Sequence, residues 1–98
     1  FGVDEAKQLG LVSQVIEAET SEAFLSEVLE YARRFVPPRG ASLAVGRIKR
    51  ALHSGLEMGL DQGLALEREL QAELFASDDA KEGLVAYGQK RSPQFRGR

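Results

Sequence analysis

The chain has 98 residues, 43% hydrophobic and 29% charged, with a formal net charge of −2 and no cysteine. That length holds one small domain or a piece of a larger one. It excludes disulfide staples and cysteine-based zinc sites, and no apolar run approaches the roughly 20 residues of a membrane span. The opening FGVDEAKQ lacks a starting Met and both regions of a signal peptide, and reads as the start of a segment cut from a longer, cytoplasmic chain.

Almost every element is predicted to be helical. DEAKQLG opens on acids that suit a helix N-terminus and stops at Gly10, where a left-handed residue can close the last turn. LVSQVI is β-branched and has no helical period; it reads as extended and is too isolated to make a sheet. TSEAFLSEVLEYARRFVPP is the clearest helix. Thr20 or Ser21 can cap it, Phe24, Leu25, Val28, Leu29, Ala32, Phe35 and Val36 share one face, and Pro37 and Pro38 end it.

A third helix follows in ASLAVGRIKRALHSG, with Ala44, Ile48, Ala51, Leu52 and Gly55 as a narrow stripe of mostly small side chains. Arg47, Lys49 and Arg50 lie off that stripe. Such a stripe allows close approach to another helix or to a ligand. Glycines 55, 59 and 63 read as a break between helices. The fourth helix, LDQGLALERELQAELFAS, carries Leu60, Leu64, Glu67, Leu70 and Leu74. Ser77 or Asp78 caps a fifth, which is predicted to run to about Arg91 with Ala80, Leu84 and Tyr87 on its apolar side and Pro93 marking its end. Four or five short helices with short connections make the fold all-α.

Charge is unevenly spread. Residues 57–82 hold eight acids against Arg68 and Lys81, whereas residues 88–98 hold Lys90, Arg91, Arg96, Arg98 and no acid. On charge alone this end reads as a solvated tail, and the acidic remainder disfavours nucleic acid as a partner. No catalytic set stands out. His53 is the single histidine, and a metal site would need more ligands. There is no P-loop and no dinucleotide fingerprint. Glu67, on the leucine stripe, is read as pairing with an arginine or capping a loop rather than as an acid or base. No catalytic residue, metal or resident cofactor is assigned.

Three stretches resemble the crotonase family, the enoyl-CoA hydratases and isomerases. EAKQLGLVSQVI resembles its EA-x-x-x-GLV-x-x-V segment. PPRGASLAVGRIKRAL resembles the next, proline-bounded helix with a lysine where Lys49 stands. LERELQAELFASDDAKEGLVAYGQKRSPQF resembles the family's ending, with Ser77, Asp79, Glu82, Gly83, Ala86, Tyr87, Lys90, Arg91, Pro93 and Phe95 at matching positions. The resemblance covers nearly the whole chain. It implies that residues 1–98 are the C-terminal helical region, which covers the active site and builds a trimer or hexamer. The N-terminal core, with the oxyanion hole and any catalytic glutamates, would lie outside this chain, leaving the 98 residues inactive alone.

By the same resemblance the substrate is a coenzyme A thioester, with trans-2-enoyl-CoA hydration the expected reaction. The partners are acyl-CoA, the chain's own core and further copies of itself. The location is cytoplasmic, or the mitochondrial matrix in a eukaryote. Tyr87 would line the acyl or pantetheine path and Lys90 would reach the phosphates. Tyr adds a hydroxyl where phenylalanine is usual, and Gln89 replaces a usual glutamate. Tyr87 and Lys90 are three residues apart and would share a helix face. Phe95 is read as a packing anchor for the tail. The alternative is a free-standing helical protein–protein interaction domain without catalysis, which would begin close to Phe1 rather than follow a core.

Overall fold

A computed structural model describes all 98 residues, and these form two compact units, Phe1–Ala32 and Arg33–Arg98. All the regular secondary structure is helical, as the periodicity predicts, with no strand. No helix is long and apolar enough to cross a membrane.

In the first unit, α1 (Val3–Gln8) has Asp4 and Glu5 in its first turn and buries Ala6. Gly10, at φ +73°, closes it. The Gly10 amide donates to the Lys7 carbonyl (3.1 Å) and the Leu11 amide to the Ala6 carbonyl (2.9 Å). This is a Schellman ending, with glycine at the left-handed position. Residues 11–20 form neither helix nor strand. α2 (Ser21–Ala32) starts where Thr20 Oγ1 accepts the Ala23 amide hydrogen at 3.1 Å. It stops before the prolines predicted to end it. Its apolar residues Phe24, Leu25 and Leu29 stay about half exposed.

The second unit opens with a 3-10 turn, Arg33–Phe35, and a tight bend in which the Gly40 amide donates to the Val36 carbonyl at 2.9 Å. α3 (Ser42–Leu56) and α4 (Leu60–Ala76) then form an antiparallel pair. Arg47 faces Glu73 at one end, and Gly63 faces Gly55 at the other. A Cβ on Gly63 would lie 3.8 Å from the Gly55 Cα and carbonyl oxygen. The glycines thus do more than break the helices: they let the two backbones approach. Arg47, read as lying off the α3 stripe, reaches across it, and its Nε donates to Glu73 Oε2 at 2.6 Å.

α5 (Asp78–Gly88) follows after a single residue. Ser77 ends one helix and starts the next: its hydroxyl donates to the Leu74 carbonyl (2.6 Å) and accepts from the Ala80 amide (3.1 Å). Leu70 of α4 and Ala86 of α5 are the buried apolar residues of this unit.

Candidate functional site at the end of the last helix

Two expectations about α5 are corrected. The helix ends at Gly88, not near Arg91, and Pro93 lies well beyond its end. Its apolar side, read as Ala80, Leu84 and Tyr87, is only partly covered by this chain: Ala80 is half-buried, while Leu84 is 70% and Tyr87 87% exposed. The inward side carries Asp79, Gly83 and Ala86 instead, and the C-terminal tail covers it.

The tail is held by the two carboxylates of that side. Asp79, only 5% exposed, accepts the Arg96 amide on Oδ1 (2.7 Å) and the Gly97 amide on Oδ2 (2.8 Å), while its own amide donates to the Arg98 carbonyl (2.9 Å). Glu82 accepts both terminal nitrogens of Arg91, at 2.6 and 3.0 Å, and the Gln94 amide at 2.8 Å. A two-pronged guanidinium–carboxylate pair is among the stronger polar contacts available to a protein. Phe95 lies against Gly83, where a Cβ would meet its ring edge at 3.8 Å, and shares a small cavity with Ala44, Leu74 and Ala80. It is the packing anchor expected of it. Its amide donates to the Pro38 carbonyl at 3.1 Å. Gly97, at φ +79°, lies where a Cβ would fall 2.8 Å from Ser42 Oγ.

The basic tail is therefore largely neutralised from within. Arg91 pairs with Glu82, Arg98 approaches Asp78 at 3.7 Å, and the Arg96 charge acts on Glu82. The hydrogen bond from Arg91, and then that from the Gln94 amide, hold the Glu82 carboxyl at about 2, down from an ordinary 4.5. A carboxylate depressed in the folded state contributes stability that is complete above its unfolded value and lost as pH falls through its folded value. The clasp is accordingly expected to loosen between about pH 4.5 and about pH 2. Protection of the Gln94 amide from hydrogen exchange should fall across that window. Protection that stays flat throughout it would contradict the assigned role of Glu82.

Lys90 differs from the other bases. It sits at φ +54°, the single non-glycine residue of the chain with a positive φ. Its amide donates to the Tyr87 carbonyl (3.1 Å), and the Arg91 amide donates to the Ala86 carbonyl (3.0 Å). This repeats the Schellman ending of α1, with lysine where glycine is usual. The side chain is exposed and forms no ion pair. Tyr87 and Lys90 thus remain neighbours, but across a helix end and not along one helical face. The left-handed conformation costs an L-residue about 1 kcal/mol. Lys90→Gly should consequently raise stability by about 0.5–1 kcal/mol in chemical unfolding, whereas Lys90→Ala should give no such gain.

Away from this end, α3 and α4 border an open apolar groove of about 480 Å³, to which Ile48, Leu52, Leu60, Leu64 and Leu70 contribute. Glu67 is exposed beside it and takes neither role expected of it. His53 is exposed on α3.

The whole of this chain, residues 1–98, matches the family model described as enoyl-CoA hydratase/isomerase. The chain belongs to the enoyl-CoA hydratase/isomerase family. It is similar to the 2,3-dehydroadipyl-CoA hydratase of Escherichia coli K12, at 40% identity over 96 residues, covering 96% of this chain and 35% of the relative. It is also similar to the mitochondrial methylglutaconyl-CoA hydratase of Mus musculus, at 35% identity over 94 residues, covering 95% of this chain and 29% of the relative. Among solved structures, an enoyl-CoA hydratase of Geobacillus kaustophilus HTA426 superposes with a TM-score of 0.84 at 40% identity, over 100% of this chain and 35% of that one. That of Bacillus anthracis gives 0.76 at 28% identity, over 98% and 35%. The chain spans about a third of the length of these enoyl-CoA hydratase/isomerase relatives.

The family resemblance named nearly all of the clasp residues without giving them roles. A separate signal was available in the chain itself: two acids in the first turns of a helix, followed by a basic tail long enough to fold back along it. Gly40 escaped the sequence reading altogether, because only the bend around it makes the position tight.

Proposed function

We propose that this chain is the C-terminal helical region of an enoyl-CoA hydratase/isomerase-family enzyme acting on acyl-CoA thioesters, with trans-2-enoyl-CoA hydration as its reaction. In this reading the chain contributes to oligomer assembly and to the coenzyme A pocket, and the catalytic groups belong to a core that precedes it. Tyr87 offers an aromatic surface to the acyl or pantetheine arm. Lys90 offers a cation to the phosphates.

The observation that carries the ligand role is the division of labour at the end of α5. Asp79, Glu82, Gly83, Arg91 and Phe95 are each occupied in fastening the tail. The side chains of Tyr87 and Lys90 take no part in that fastening and are exposed to solvent. A lysine ammonium is a flexible point charge suited to an exposed phosphate. At a surface its contribution is on the order of 1 kcal/mol and salt-sensitive.

The assembly role draws on exposed apolar surface. Leu56, Leu60, Leu84 and Phe75 are among the residues left uncovered. Surface of this kind calls for a partner, and the remainder of the enzyme and further copies of it are the partners proposed.

The test is to read the encoding gene and assay both forms. The proposal expects a core-sized reading frame ahead of Phe1, turnover of a 2-enoyl-CoA by the intact protein, and none by the 98 residues alone. A gene that opens at Phe1, or one that places this segment ahead of the core, would overturn it in favour of an interaction domain or a different placement.

A further inference from the structure

Helix α5 ends at Gly88, itself a weak helix former, although the three residues that follow, Gln89, Lys90 and Arg91, favour a helix. Proline appears only at position 93. In a continued helix, Arg91 would stand nine residues beyond Glu82. That is about 13.5 Å along the axis and, at 3.6 residues per turn, on the opposite face. No pairing with Glu82 would then be possible. The observed pair, at 2.6 and 3.0 Å, requires the backbone to turn back in between.

The turn is made at Lys90, at φ +54°. Its neighbours on both sides are fastened, since Arg91 Nε donates to Gln89 Oε1 at 2.7 Å while the Arg91 terminal nitrogens hold Glu82. The Gln94 amide on the same carboxylate fixes the strand of chain that leaves the turn. Lys90 itself makes none of these side-chain contacts. The clasp therefore fixes where the Lys90 side chain emerges.

We infer that the Glu82–Arg91 pair is a positioning device for Lys90: by stopping the helix at Gly88 and forcing the left-handed turn, it aims the lysine ammonium at the phosphates of the coenzyme A substrate. This rests on the reading of Lys90 given above. Glu82 and Arg91 touch no substrate in this account and act only through the backbone of residue 90.

The test is a double-mutant cycle in the intact enzyme, with kcat and KM measured for a 2-enoyl-CoA. Lys90→Ala is expected to raise KM about fivefold and leave kcat within twofold. Glu82→Gln is expected to raise KM about threefold with kcat likewise retained, and to add nothing in the Lys90→Ala background. Arg91→Lys, which keeps the charge but loses the two-pronged grip, should behave as Glu82→Gln does and supplies a second route should that variant fold poorly. If Lys90→Ala raises KM and the clasp variants do not, or if their effects multiply with that of Lys90→Ala, the positioning role is overturned while the ligand role stands. If Lys90→Ala leaves KM unchanged, the ligand role falls and the inference falls with it.

Discussion

Asp79→Ala is expected to cost the second unit about 3 kcal/mol, because it removes a buried charged acceptor from two backbone amides at once. The Arg96 and Gly97 N–H groups, bonded at 2.7 and 2.8 Å, would lose their acceptors. Asp79→Asn keeps one acceptor oxygen and should cost roughly half as much. Urea unfolding gives the magnitude. Hydrogen exchange gives the location: the amides of Arg96 and Gly97 should lose protection well before those of α3 and α4. A variant of wild-type stability whose tail amides remain protected would show that the Glu82 contacts and Phe95 packing hold the tail without Asp79.

Gly40→Ala is the second large effect, and it acts through volume. A Cβ at residue 40 would fall 2.5 Å from the Arg34 carbonyl oxygen and the Phe35 carbonyl carbon, and 2.7 Å from the Phe35 Cα. All three are backbone atoms, so no side chain can swing aside and the bend must open. The expected loss is about 3 kcal/mol, at the upper end for overpacking, which would lower the melting temperature of a chain this size by roughly 12–24 °C. Gly46→Ala is the control, since a Cβ there meets nothing within 4 Å and it lies inside α3. An alanine at residue 40 that leaves the melting temperature unmoved would mean the bend relaxes at no cost.

Local chemistry made the beginnings of the helices legible. Thr20 and Ser77 cap the helices they precede, Gly10 closes α1 at a positive φ, and the small residues of α3 mark where α4 comes near. Each of these signals lies within a few residues of the effect it produces. The end of α5 was not legible in this way. It ends at Gly88 in a turn held by a pair nine residues apart, which the helix-favouring Gln89–Arg91 did not announce. Periodicity identified the apolar side of α5 correctly as apolar, yet Leu84 and Tyr87 are exposed. A stripe says which face is apolar; it does not say that the same chain covers it. For the same reason Phe24, Leu25 and Leu29 define a face on α2 that these 98 residues leave half exposed.

The site reads differently once the tail is in place. In the sequence, Lys90, Arg91, Arg96 and Arg98 read on charge alone as one solvated basic tail. In the fold, Arg91 and Arg98 are matched by Glu82 and Asp78. The cluster reduces to Lys90 beside Tyr87, with Arg96 within the field of Glu82. The acids that gave the chain its charge asymmetry are the partners of the bases that opposed them.

Lys90 is proposed to meet the phosphate end of a coenzyme A thioester, far from the reacting carbons. The most direct measurement compares Lys90→Ala with the wild-type intact enzyme on two substrates carrying the same 2-enoyl group, one on coenzyme A and one on pantetheine, which lacks the adenosine phosphates. Lys90→Ala is expected to raise KM about fivefold for the coenzyme A substrate, equivalent to about 1 kcal/mol, with kcat retained and no change for the pantetheine substrate. An equal rise on both substrates, or a collapse of kcat on either, would contradict it.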